Sequence, residues 1–113
     1  MMEENIAAIA TASGKGGVAI IRISGKSPLE IAEKMFVPVG KKKVSEFEPY
    51  RMYPGTIDAG GFSDYGLCVY FKGPASYTGE DIVEFQCHGG ESVARGILKQ
   101  TFRHGAKPAG KGE

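Results

Sequence analysis

The stretch TASGKGGVAIIRISG, residues 11–25, sets three glycines and a lysine directly ahead of a run of β-branched residues. That order is the strongest constraint in the chain. A phosphate-binding loop of the Walker type needs glycine, four residues, then glycine-lysine and a hydroxyl residue. Counted from Gly14, those positions hold Ala19, Ile20 and Ile21. The dinucleotide fingerprint fails as well, because Ala19 stands where its third glycine belongs. Both motifs also feed a helix, whose first amides hold the phosphate. VAIIRIS is too β-branched and too short for that, so the loop predicts a hairpin turn between NIAAIAT (5–11) and VAIIRIS (18–24). The glycines then serve either positive-φ turns or a close approach to a ligand or partner chain.

The rest of the chain alternates strand and helix signals. Ser27-Pro28-Leu29-Glu30 reads as a capping box with proline in the first turn, predicting a helix to about Phe36 that buries Ile31 or Ala32 with Met35. Pro38 to Gly40 stops it. Residues 41–49 form a polar connector opening on Lys41, Lys42 and Lys43, which read as a solvated turn in preference to an RNA contact. Met52–Asp58 and Tyr65–Phe71 are the arms of a second hairpin around Ala59-Gly60-Gly61, with Pro54 assigning the first arm to an edge. Asp81–His88 alternates as a strand, and Val93, Ala94, Ile97, Leu98 and Phe102 make a helical stripe between Glu91 and His104. The tail AKPAGKGE carries no structural signal. The expected fold is α+β, a mixed sheet of about five strands with two or three helices, in one domain spanning residues 1–113.

Composition narrows the function. A net charge of +1 supplies no overall field for nucleic acid or an anionic membrane. No apolar stretch approaches the roughly 18 residues that span a bilayer. The two cysteines, Cys68 and Cys87, sit in apolar strands without a CxxC pair, which predicts reduced buried thiols, a cytoplasmic setting and no metal site.

Two charges stand out. Arg22 lies inside VAIIRIS and Glu84 inside DIVEFQC, each the sole ion in the interior of an apolar strand. Burial there costs several kcal/mol, of order 3, unless the ion is paired or binds something polar. Alternation puts Val83, Phe85 and Cys87 on one face and Ile82, Glu84, Gln86 and His88 on the other. One reading is an Arg22–Glu84 ion pair across the sheet. The other is a polar pocket in which Glu84 accepts two parallel hydrogen bonds from an amidine-like edge such as a pterin, with Arg22 binding a carboxylate or ring carbonyl. Tyr77 and Thr78 either line that pocket or shape a tight turn. His88 is a hydrogen-bonding residue ahead of the last helix in preference to a catalytic one, and no catalytic set surrounds it. Glu80 and Asp81 read as capping or solvated groups.

IAAIATASGKGGVAIIRISG and SYTGEDIVEFQCHGG, with the helix that follows, closely resemble the N-terminal domain of the bacterial and organellar tRNA-modification GTPases of the TrmE/MnmE family. The resemblance covers nearly the whole chain. It implies a fold similar to the tetrahydrofolate-binding module of aminomethyltransferases, a homodimer, and binding of 5-formyl-tetrahydrofolate near the dimer interface. The folate-contacting arginine and glutamate of the family fall on Arg22 and Glu84, the glycine loop with Gly16 and Gly17 would lie against ligand or partner, and Tyr77 and Thr78 remain the candidates for lining the same pocket. No residue is implied to be catalytic or metal-binding. The whole family members carry a helical domain and a G domain that hydrolyses GTP with magnesium and potassium. With an FAD-dependent partner protein they install an aminomethyl-type group on the wobble uridine of tRNA. Nothing in this chain resembles the G domain, so GTP hydrolysis is not expected of it alone. Lys111 replaces the proline of the family's P-G-E-F-T segment, and a further basic residue implicated in folate binding lies beyond Glu113, which reads as a fragment. A dimerisation scaffold without a ligand of its own is the alternative.

Overall fold

A computed structural model of the chain describes residues 4–11, 17–76, 78–88 and 90–109. The two isoleucine-rich runs become β1 (Asn5–Ile9) and β2 (Ala19–Gly25), paired antiparallel with Asn5 opposite Gly25 and Ile9 opposite Ile21. Helix α1 (Pro28–Met35) follows, then β3 (Phe36–Pro38), a 3-10 turn at Val44–Glu46, the hairpin β4 (Met52–Asp58) and β5 (Ser63–Phe71), β6 (Asp81–Cys87), helix α2 (Glu91–Arg103) and β7 (Lys107–Pro108). The strands form one sheet in the order β3-β4-β5-β6-β2-β1-β7. Among the described strands, only β7 runs parallel to its neighbour.

The α+β class is as expected, but the sheet has seven strands where about five were predicted. The two additions are edge strands of three and two residues, each ending on a proline. Neither is long enough to show alternation, so pairing with a neighbour defines them and no pattern of their own does. The same effect shortens α1, which ends at Met35 because Phe36 is drawn into extended backbone opposite Ile57.

Pro54 does not mark an edge either, since β4 lies between β3 and β5. The reason is local. Pairing with β3 stops at Pro38 opposite Gly55, and the next contact is the Val39 amide donating to the Pro54 carbonyl at 3.0 Å. That contact needs an acceptor from proline and no donor.

Ser27 begins α1 without a side-chain cap, so the predicted capping box does not form. The serine is held by Asn5 instead. Its amide donates to Asn5 Oδ1 at 3.0 Å, and Asn5 Nδ2 donates to Ser27 Oγ at 3.3 Å. The start of the helix is thereby tied to the first strand.

One face of the sheet carries the core. Ile21 and Ile23 of β2, Val83, Phe85 and Cys87 of β6, and Ile57 and Cys68 of the hairpin pack with Ile31, Ala32 and Met35 of α1 and Ala94 and Ile97 of α2. Gly96 lets α2 close onto the turn after β4, because a Cβ there would stand 2.3 Å from the Ala59 carbonyl oxygen. Side chains on the opposite face alternate with the core residues, and that face bears the site.

Candidate functional site

Residue 22 of β2 lies directly opposite residue 84 of β6, in a register that also pairs Ile21 with Phe85 and Ile23 with Val83. The flanking pairs point into the core, so the alternation of the pleat aims Arg22 and Glu84 at the face opposite the helices. There they meet. Arg22 Nε donates to Glu84 Oε2 at 2.9 Å and a terminal nitrogen donates to the same oxygen at 2.7 Å. The Glu84 side chain is 11% exposed and that of Arg22 29%. Among the described residues, Oε1 receives no hydrogen bond. The ion-pair reading is therefore correct as geometry, yet the pair engages only half of the carboxylate.

A cavity opens on either side of the pair. One, of about 350 Å3, is lined by Arg22, Tyr50, Phe71, Ala75, Ile82 and Glu84. The rings of Tyr50 and Phe71 stand edge to face in it, with centroids 5.8 Å apart. The other, of about 300 Å3, runs along β1 and reaches Arg22, Ser24 and Thr78. Both are within the size range of small-molecule sites.

Thr78 joins the site through a polar cluster. Ser24, nearly buried, has its Oγ 3.0 Å from Thr78 Oγ1 and donates to Glu80 Oε1 at 3.2 Å. Glu80 is thus more than the solvated turn residue expected of it. Asp81 accepts from the Gly73 amide at 2.9 Å and from the Tyr70 hydroxyl at 3.4 Å. Burial, with the neighbouring Asp81 carboxylate, pushes the Tyr70 hydroxyl above its ordinary pKa.

Of the glycines in the loop, Gly17 lies among the described residues. Gly17 is exposed and has no positive φ, and among the described residues nothing lies within 4 Å of where its Cβ would be. A positive φ is therefore not the reason for a glycine at that position. Gly16 and Tyr77 fall outside the described residues. His88 is exposed, with Nδ1 2.9 Å from the Tyr65 carbonyl oxygen and its amide donating to Asp64 Oδ2 at 2.8 Å. That is the hydrogen-bonding position expected ahead of α2. Lys42 and Lys43 are engaged within their own turn, Lys42 Nζ with Glu48 at 3.6 Å and the Lys43 amide with Glu46 at 3.3 Å.

Tyr50 was not anticipated from sequence. It is the one described non-glycine residue with positive φ, at 65°, and its hydroxyl donates to the carbonyls of Lys72 and Ala75. Such backbone is costly and gathers at functional sites. An aromatic residue after proline in an otherwise polar connector was the available signal.

The cysteines are free thiols buried in β5 and β6. Burial raises both pKa values, that of Cys87 to about 11. No cluster of three potential metal ligands occurs among the described residues, and no described helix is long and apolar enough to cross a membrane.

Residues 5–113 match the family described as the GTP-binding protein TrmE N-terminus. The chain belongs to that family. Its curated relatives include proteins named tRNA modification GTPase MnmE from Roseiflexus castenholzii, 45% identical over the whole chain, and from Sulfurimonas denitrificans, 48% identical over the whole chain. A relative of the same name from Nitratidesulfovibrio vulgaris is 43% identical over 98% of the chain. The chain spans about a quarter of the length of each, 24% in all three. The TrmE N-terminal assignment covers all of the site strands, from Asn5 of β1 through Cys87 of β6.

Proposed function

We infer that residues 1–113 are the N-terminal folate-binding and homodimerisation module of a tRNA-modification GTPase. The observation that carries this reading is the Glu84 carboxylate, shielded on the sheet face opposite the helices and beside a cavity, with no hydrogen bond to Oε1 among the described residues. A carboxylate oxygen in a shielded side chain is a strong acceptor for a planar N–H edge, and a pterin presents one. Two parallel hydrogen bonds from that edge would require Oε2 to be shared between the ligand and Arg22. The Tyr50 and Phe71 rings give the heterocycle an aromatic wall. Arg22, touching both cavities, neutralises Glu84 and steers the anionic end of 5-formyl-tetrahydrofolate.

The same face supports self-association. Val37, Met52 and Tyr65 are 67, 52 and 57% exposed, and the pairings Val37 to Thr56 to Tyr65 and Met52 to Val69 to Glu84 put them on the face of the ion pair. A second copy would cover this apolar surface and close the cavities. In the parent protein a helical domain and a G domain using GTP, magnesium and potassium would complete the cytoplasmic enzyme. With an FAD-dependent partner it would place an aminomethyl-type group on the wobble uridine of tRNA.

Calorimetry with 5-formyl-tetrahydrofolate tests the ligand, and sedimentation equilibrium tests the dimer. Saturable binding that disappears in Glu84→Gln supports the folate site. Dimerisation without heat from the folate would leave the scaffold reading, which the exposed Val37, Met52 and Tyr65 favour.

A further inference from the structure

Away from that face, α2 carries a second feature that the folate reading does not use. Its buried residues are Ala94, Ile97 and Thr101. Arg95, Lys99 and Arg103 follow each other at intervals of four on an exposed flank, successive charges rising about 6 Å along the axis. A trough of about 380 Å3 runs beside them, between α2 and the β4–β5 turn, lined by Phe62, Ser92, Arg95, Lys99, Gln100 and Arg103. Phe62 is 52% exposed.

The trough is held open by specific bonds. Gln100 Nε2 donates to Asp58 Oδ2 at 2.9 Å, while the Gly60 amide donates to Asp58 Oδ1 at 2.9 Å. The turn is thereby locked against the helix, and Gly96 against Ala59 fixes the separation. Both Asp58 oxygens accept hydrogen bonds in this anchoring. Glu91 pairs with Arg95 at 2.5 Å. Among the described residues, Lys99 and Arg103 have no carboxylate within ion-pair distance.

We propose that this trough binds a single-stranded RNA segment, the phosphates tracking Arg95, Lys99 and Arg103 and one unstacked base lying on Phe62. Lys99 and Arg103 supply uncompensated charge at a spacing comparable to that of successive phosphates on an extended strand. An exposed ring at the side of a cationic track is the arrangement of sequence-tolerant single-strand binders. An acidic peptide would use the cations but would leave Phe62 without a stacking partner.

The test is fluorescence anisotropy of the 113-residue chain with a fluorescein-labelled oligouridine, a labelled oligoglutamate serving as the competing anion. Expected is RNA binding whose logarithm falls with the logarithm of salt at a slope of about −2, three phosphates at about 0.7 each. Lys99→Ala and Arg103→Ala should each reduce that slope by about 0.7, and Phe62→Ala should weaken binding about five- to a hundredfold at unchanged slope. All three positions are exposed, so unfolding profiles should match the parent chain. Folate calorimetry on the same variants should be unchanged, which separates failure here from failure of the folate reading. No RNA binding, tighter binding of oligoglutamate, or RNA binding indifferent to all three substitutions would each overturn the proposal.

Discussion

Arg22 and Glu84, 62 residues apart in sequence, are direct cross-strand partners, and both guanidinium bonds fall on the single oxygen Oε2. An ion pair built only for stability would be expected to use both oxygens, since the bidentate fork is the stronger arrangement. Here the other oxygen receives no hydrogen bond among the described residues, and Glu84 lines a cavity. In the folate reading proposed above, the pair would satisfy Arg22 and leave an acceptor for the ligand.

Glu84→Ala should lower unfolding free energy by about 1–3 kcal/mol, less than a fully buried pair would lose because Arg22 keeps partial access to water. Replacing both ions, Arg22→Met with Glu84→Leu, should restore stability to within about 1 kcal/mol of the parent chain. Denaturant melts measure this, and calorimetry on the double variant should still show no folate binding. Retained binding would mean that the carboxylate is structural only.

Gly96→Ala places a methyl group 2.3 Å from a backbone carbonyl oxygen that cannot step aside. The gain in helix propensity, about 1 kcal/mol, is outweighed by that overlap, and a net loss of about 1–3 kcal/mol is expected. A thermal midpoint that rises would show that α2 stands further from the β4–β5 turn.

Asn5→Ala removes the bonds that tie Ser27 to β1. The expected cost is about 1–2 kcal/mol in chemical denaturation, and amide exchange should quicken in the first turn of α1. Exchange unchanged in that turn would assign the helix start to Pro28 alone.

Cys87 has its thiol pKa raised by burial from 9.0 to about 11, so the folded chain favours the neutral form. Below pH 9.0 both folded and unfolded chains hold the proton and the full stability is present. Between that value and about 11 the unfolded chain ionises first, and stability falls as pH rises. Urea midpoints should drop across that window, and Cys87→Ala should make the drop shallower, with Cys68, whose pKa burial also raises, contributing to what remains. Thiol labelling at neutral pH should be slow until the chain unfolds, for Cys68 as for Cys87.

The local grammar was legible from residue order. Isoleucine and valine runs marked β1, β2 and β6, the Ala94–Ile97 stripe marked α2, and the glycine pair at residues 60 and 61 marked the hairpin, because each signal is written in residues that are neighbours in the chain. It also singled out Arg22 and Glu84, since an ion in an apolar strand is conspicuous wherever the strand goes. Tertiary structure alone decided the rest. That the two ions share one rung, that Ser24 meets Thr78 and Glu80, and that Tyr50 walls the cavity all depend on register between distant segments. The edge strands β3 and β7 exist only because a partner offers them hydrogen bonds, and Asn5 displaced the expected cap at Ser27 for the same reason. Pairing energy of this kind is gained between residues far apart in sequence, and no short-range pattern encodes it.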